Sequence, residues 1–387
     1  MVLEMSRMSF IHYKRILLLV LTICLILPCG CSKRAQNDSS SMTEKTTSDT
    51  ETSTLSIESS NEQNSLEVHF IDVGQGDASL IICDGHAMLI DGGPAKQSDL
   101  MYAYLKKYDI SHLDYIIATH PDDDHIGGLS GALQYADADH AFCPVTEHDT
   151  YTFKSFEENL QSRGISIECP ASGSTFELGK SSCTVLGPID MNSEKTNNLS
   201  IVIRMQYGNT SFLFTGDAEQ EEEDLLLNSD QELRSDVLRV AHHGSEYSTS
   251  DRFLSAVHPQ YAVISCGKDN TFGFPTKQTL ERLAGHGVTL YRTDLQGDII
   301  VRSDGEVISV ETEKTTSEDL FTAPELLPSE EDDGQEHDYV LNVKSKKFHR
   351  PECDAVNKMD EKNRKQRTAT REELLNEGYS PCKMCKP

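Results

Sequence analysis

The segment His120-Pro121-Asp122-Asp123-Asp124-His125 packs two imidazoles and three carboxylates into six residues. Imidazole nitrogens and carboxylate oxygens together suit zinc, manganese or iron. Carboxylates held this close repel one another unless a cation sits among them. A solvated acidic loop holding calcium is the plain alternative, but calcium takes oxygen ligands and seldom histidine. Two more segments carry similar chemistry at the end of an apolar run. Phe212-Leu213-Phe214-Thr215 closes on Gly216-Asp217, and Leu238-Arg239-Val240-Ala241 closes on His242-His243-Gly244-Ser245. Each is weak alone; their joint occurrence describes one metal site built from several strand ends.

Periodicity outlines the elements that must hold such a site. Residues 66–72 have strand character and run into the turn Gly74-Gln75-Gly76-Asp77. Residues 79–83 and 87–90 read as a hairpin ending in Asp91-Gly92-Gly93. Residues 99–107 read as a helix, and 113–118 as a buried strand delivering Thr119-His120. Residues 200–206 and 211–215 form another hairpin across Tyr207-Gly208-Asn209. Residues 237–241 deliver the histidine pair, and 261–265 and 288–292 complete the strands, with a helix at 276–284 between them. Chemistry at the ends of apolar strands is the habit of α/β and sandwich enzymes.

The rest of the chain reads as attachments. Arg7, Lys14 and Arg15 precede an apolar run over 16–27, which is short for a membrane span. Leu27-Pro28-Cys29-Gly30-Cys31-Ser32 resembles a bacterial lipoprotein cleavage site with Cys31 lipidated; an ordinary secretory signal, or an uncleaved anchor with a short span, is the alternative. A signal peptide over 1–31 and a polar, flexible stalk over 32–65 follow. They place the protein outside the cell, anchored to the membrane by its lipid or secreted. The central domain spans 66–312, an acidic linker 313–338 and a separate tail 339–387. The net charge of −28 argues against nucleic acid when taken alone, yet much of the acid lies in the stalk and linker. Cys83, Cys143, Cys169, Cys183 and Cys266 have no metal-like spacing and read as small buried hydrophobes.

The run from Val68 to about Val310 resembles the metallo-β-lactamase fold, specifically the hydrolase domain of ComEC-type competence proteins. The resemblance rests on Phe70-Ile71-Asp72-Val73-Gly74-Gln75-Gly76-Asp77, Leu89-Ile90-Asp91-Gly92-Gly93, Thr119-His120 through His125-Ile126-Gly127-Gly128, Asn197-Asn198-Leu199-Ser200, Thr215-Gly216-Asp217 and Ala241-His242-His243-Gly244-Ser245. It implies an α/β fold, a four-layer αββα sandwich with metals at one edge. It also implies that His120 and Asp122 bind one metal and Asp124 and His125 a second. Asp217 would bridge the two, and His243 or His242 would complete the second site. Asp122 stands where most of the wider fold has His, which favours manganese over zinc. Asn197 or Asn198 falls where many relatives place a further His, and Phe274-Pro275 where many show His-Pro. One or two divalent metals are therefore expected, with Asp124 orienting or deprotonating the attacking water. Ser245, Thr249 and Ser250 read as substrate donors or, more plainly, as loop caps.

The tail holds twelve Lys or Arg against seven acids, a basic module on an acidic protein. His349-x3-Cys353 and Cys382-x2-Cys385 suit one structural zinc holding a small α+β module. A disulfide from Cys353 is the alternative. The spacing resembles the Ada-type zinc domain, whose members contact DNA, and Lys362, Arg364, Lys365 and Arg367 are the residues expected to meet phosphates. The leading functional expectation is a metal-dependent phosphodiesterase acting on nucleic acid, most of all DNA. An acyl hydrolase of lactone or β-lactam type, and a catalytically weak DNA-binding or wall-binding lipoprotein, are the alternatives.

Overall fold

The computed structural model describes residues 65–324 and 335–387, apart from 269, 352, 358, 383, 384 and 386. The expected signal peptide with Cys31, the stalk up to residue 64 and the linker over 325–334 lie outside the described residues.

The first half of the central region lays down β1 (Leu66–Phe70), β2 (Ser79–Cys83), β3 (His86–Ile90), β4 (His112–Ile117), β5 (Asp137–Phe142) and β6 (Ile167–Glu168). The second half contributes β7 (Thr175–Leu178), β8 (Ser181–Gly187), β9 (Val202–Tyr207), β10 (Thr210–Phe214), β11 (Val237–Arg239), β12 (Tyr261–Ile264) and β13 (Thr289–Arg292). Then β14 (Ile299–Ser303) and β15 (Ile308–Thr312) return to the first sheet, beside β1. The result is an eight-stranded sheet in the order β15-β14-β1-β2-β3-β4-β5-β6 facing a seven-stranded one, β13-β12-β11-β10-β9-β8-β7.

Both sheets have an antiparallel half and a parallel half. β3 to β6 run parallel in one, and β10 to β13 in the other. Parallel neighbours need crossovers, and the helices that supply them cover the outer faces. On the first sheet these are α1 (Ser98–Lys107), α2 (Leu129–Tyr135) and α3 (Tyr151–Gln161), which bury Met101, Leu105, Leu129, Leu133, Phe153 and Phe156. On the second they are α4 (Gln220–Leu227), α5 (Asp251–Val257) and α6 (Lys277–Gly285), packed through Leu226, Phe253, Leu254, Leu280 and Leu283. A third apolar layer joins the sheets face to face, with Phe70 stacked near Phe214 at 6.2 Å. This is the expected αββα sandwich.

Four of the five central cysteines are buried as expected, but Cys169 is exposed, because it follows the short edge strand β6 rather than pointing into a core.

The tail folds as a four-stranded sheet. Its strands β16 (His337–Asn342), β17 (Lys347–His349), β18 (Arg364–Ala369) and β19 (Ser380–Pro381) lie in the order β18-β16-β17-β19, with helix α7 (Arg371–Asn376) beside it. Its buried apolar groups are few: one set is Tyr339, Leu341, Phe348, Ala369 and Leu374, another Val340, Cys353, Val356, Met359 and Cys382. Cores this small ordinarily need a staple.

Candidate metal centre

The parallel halves of the two sheets bring their C-terminal strand ends together, and each end carries a polar residue. β4 runs out into Thr119 and His120, both buried. One helical turn, Asp123–Ile126, then sets His125 inward. β10 ends on Gly216 and the buried Asp217, and β11 leads to His242 and His243.

Three close groups of ligand atoms share His125, each within 4.8 Å: His120, His125 and Asp217 come first, Asp124, His125 and His243 second, and Asp77, Asp91 and His125 lie behind them. Asp217 is central. Its carboxylate lies 3.2 Å from Nε2 of His125, 3.5 Å from Nε2 of His243 and 3.9 Å from Nε2 of His120. Asp122 sits at the rim, 3.8 Å from His120 and partly exposed. The Nε2 atoms of His120, His125 and His243 are buried and make no hydrogen bond. Three buried imidazole nitrogens converging without partners on carboxylates is the arrangement a divalent cation satisfies, so the donor set fits one.

The two neighbouring histidines are not equivalent. Both adopt a left-handed backbone, with φ of 50° and 54°, which costs roughly 1–3 kcal/mol at each non-glycine residue. The turn this creates drives His243 into the centre, where its Nδ1 donates to the Ser265 carbonyl at 2.9 Å, leaving Nε2 free to ligate. His242 stays at the edge, 3.9 Å from Asp217 and 3.7 Å from Glu219. Of the two, His243 belongs to the second group.

Neither asparagine replaces the further histidine of relatives. Asn198 Oδ1 accepts from the Glu219 amide at 2.8 Å, and Asn197 donates to the Glu219 carboxylate at 3.0 Å. Both are spent on shaping the loop. Phe274 packs against His242 and His243 with ring centroids at 5.4 and 6.5 Å, so it supports the pair and offers no ligand. Thr249 and Ser250 are caps: Thr249 Oγ1 accepts from the Ala241 amide, and Ser250 caps α5 by accepting from Phe253. Ser245 lines the cleft, with its hydroxyl accepting from the Tyr247 amide.

Electrostatics match the geometry. Burial opposes ionisation of Asp217, yet the imidazoles of His125, His243 and His242 hold its carboxyl well below the usual range. Burial also disfavours charge on His125, but Asp217 and Asp91 overcome it and raise its pKa well above normal. His120 is driven down to about 3 by burial and the neighbouring His125. It is held ready as a neutral ligand.

Sequence reasoning did not assign the groups behind the ligands. Asp91 accepts from the Thr119 amide and hydroxyl at 2.8 and 2.7 Å, and lies 2.8 Å from Nδ1 of His125. Such a carboxylate fixes the tautomer and the aim of the imidazole. Arg239 is buried and meets Asp77 at 2.6 Å. The available signal was a guanidinium inside an apolar strand, since a charge placed there requires a partner. Gly76 lets the turn before Asp77 close on the site: its φ is 144°, and a Cβ there would strike the Asp124 carbonyl oxygen.

In the tail, His349, Cys353, Cys382 and Cys385 present ligand atoms within 4.8 Å of one another, with the three thiols unpaired. The donor set suits one zinc. The basic residues expected to meet DNA are largely occupied. Lys362 pairs with Asp360 at 2.8 Å, Arg367 with Glu377, and Arg364 donates to the Val356 and Met359 carbonyls. None of these, nor Lys365, lines the cleft over the metal centre, whereas Arg371 does.

Comparison with known proteins agrees with this geometry. The profile of the Metallo-beta-lactamase superfamily matches residues 71–268. ComE operon protein 3 of Bacillus subtilis is 29% identical over 62% of this chain and 33% of its own length. Recombination protein 2 of Haemophilus influenzae is 32% identical, over 64% of this chain and 30% of its own. Competence protein ComA of Neisseria gonorrhoeae is 30% identical, over 61% and 32%. The chain thus spans about a third of the length of these relatives. With the metal-type ligand cluster at the meeting point of two sheets, these matches show that the chain belongs to the metallo-β-lactamase superfamily, in its ComEC-type competence family.

Proposed function

We propose that this protein is a metal-dependent phosphodiesterase acting on DNA outside the cell, held at the membrane through a lipid on Cys31. The observation that carries the reading is the convergence of His120, His125, His243, Asp124 and Asp217, with three buried imidazole nitrogens unpartnered.

His120, Asp122 and Asp217 would hold one manganese or zinc ion, and Asp124, His125, His243 and Asp217 a second. Bound there, such ions supply a hydroxide near neutral pH and stabilise charge on a phosphoryl group. Asp124 is the residue assigned to orient or deprotonate the attacking water. Asp91 keeps His125 aimed, and Ser265 does the same for His243. The matched relatives carry names from competence and recombination, which supports DNA as the substrate. A zinc ion on His349, Cys353, Cys382 and Cys385 would hold the tail's fold.

The test uses the chain from Ser65 to Pro387, stripped of metal and reloaded with manganese or zinc, against plasmid and single-stranded DNA. Metal-dependent cleavage that disappears in the Asp124→Ala, His125→Ala double variant is expected. Loaded protein that cleaves lactones or β-lactams but no DNA would overturn the reading in favour of acyl transfer.

A further inference from the structure

A cleft of about 870 Å³ opens over the metal centre, and its walls come from two parts of the chain. Asp122, Asp124, Asp217 and His243 of the metal centre line it, and so do Arg371, Pro381 and Cys382 of the tail. Pro381 lies on β19, which pairs with β17 just before His349, and Cys382 is one of the four clustered ligands. The wall is therefore built directly on the cluster that a zinc ion would hold rigid.

The two cations lining this cleft differ in what they already do. Lys195 is bound to Glu219 at 3.0 Å and to Glu221 at 2.5 Å. Arg371 is held differently: its Nε donates to the backbone oxygen of Pro387, the last residue, at 3.1 Å. Among the cleft's carboxylates Asp122, Asp124, Asp217, Glu219 and Glu246, this half-buried guanidinium offers a cationic contact suited to an anionic ligand group, above all a phosphate.

Aromatic faces are also on offer. Tyr247 is 62% exposed and Phe272 38%, and both line the cleft. Phe272 stacks on Phe274 at 5.6 Å and 16°, and Phe274 on His243 at 6.5 Å and 28°. A ledge of rings thus runs from the metal centre towards solvent. Flat apolar surface beside a cation is how proteins hold an unpaired strand, because every base presents a π-face. Bases inside a duplex do not expose those faces.

We propose that the C-terminal module is the far wall of a single-stranded DNA cleft, in which Arg371 binds a backbone phosphate while Phe272 and Tyr247 stack bases. The proposal rests on the phosphodiesterase reading and adds the strand state of the substrate and the residues that grip it. It moves DNA recognition from the Lys362–Arg367 stretch to Arg371.

The test measures binding of a fluorescein-labelled oligothymidylate by anisotropy over a range of salt, using the Ser65–Pro387 chain in the Asp124→Ala, His125→Ala background, which cannot turn over. Arg371→Gln should weaken binding roughly tenfold and lower the salt slope by about 0.7, the share of one phosphate contact on a single strand. Arg371→Lys should keep the slope. Tyr247→Ala and Phe272→Ala should each cost about five- to a hundredfold with the slope unchanged. Lys344→Gln, an equal charge change on an exposed turn of the same module, should alter neither. A slope that falls equally with Lys344→Gln, or affinity indifferent to Arg371, or no binding at all, overturns the proposal. Hydrolysis of bis(p-nitrophenyl) phosphate by the parent chain separates the two readings. Turnover without Arg371-dependent binding removes the cleft wall alone, and Arg371-dependent binding without turnover removes the phosphodiesterase alone.

Discussion

The Arg239 guanidinium lies 2.6 Å from the Asp77 carboxylate, with both side chains almost wholly buried beneath the metal centre. Arg239 ends β11 of the second sheet, and Asp77 follows β1 of the first, so the pair clasps the two sheets where their ligands meet. Arg239 also donates to the Gly216 carbonyl, one residue before Asp217. Its position makes it part of what holds Asp217 in place.

Breaking that pair on one side strands a charge in the interior. Asp77→Leu or Arg239→Met alone should each destabilise the fold by about 3–5 kcal/mol, whereas replacing both with apolar residues should cost much less than the sum. Denaturant unfolding of the three variants decides it; additive losses would mean the two groups act independently.

Asp91→Asn removes the carboxylate behind His125 while keeping its shape. Metal affinity should drop by roughly 10–100-fold. Competition against a chromophoric chelator measures this, and an unaltered affinity would show that packing alone orients His125.

The left-handed turn at His242 and His243 separates their roles. His243→Ala should reduce the metal retained at the centre, and His242→Ala should leave the stoichiometry intact, by elemental analysis after dialysis. Equal losses would place His242 among the ligands.

Glu222 lies almost wholly buried on α4, accepts from the Ile189 amide at 2.7 Å and has Asp190 beside it. Burial lifts its pKa from an ordinary 4.5 to about 7, against the hydrogen bonds from the Ile189 and Asp190 amides, which pull it down. Between those values the folded chain holds a proton that the unfolded chain has released, so this group makes stability fall as pH rises, and the loss is complete above about 7. Glu222→Gln keeps an acceptor and removes the titration. Its stability relative to the parent should rise from about pH 5 to about pH 8 in paired melts; a constant difference would assign the residue an ordinary pKa.

The tail's cluster gives a simpler expectation. Cys353→Ser should lose zinc from the module while the hydrolase centre keeps its metal, and near-ultraviolet signals from Tyr339 and Tyr379 should flatten as the small sheet loosens. Full retention of zinc would point away from tetrahedral ligation by these four residues.

Local pattern made much of this protein legible in advance. The alternation over β1, β2 and β3, the apolar runs of β4 and β12, and the contiguous ligands from His120 to His125 are properties of neighbouring residues, so periodicity and spacing reveal them. Asp217 was visible for the same reason, as a carboxylate ending an apolar strand. The choice between His242 and His243 was not visible, because it depends on a backbone twist sustained by contacts with Ser265 and Phe274. Nor were the partnerships of Asp91 with His125, of Asp77 with Arg239, or of Arg371 with the cleft. These join residues far apart in the chain, and only the packing of two sheets and a small module against one another brings them within reach. Sequence determined which groups this protein has for binding metal; tertiary structure decided which of them meet.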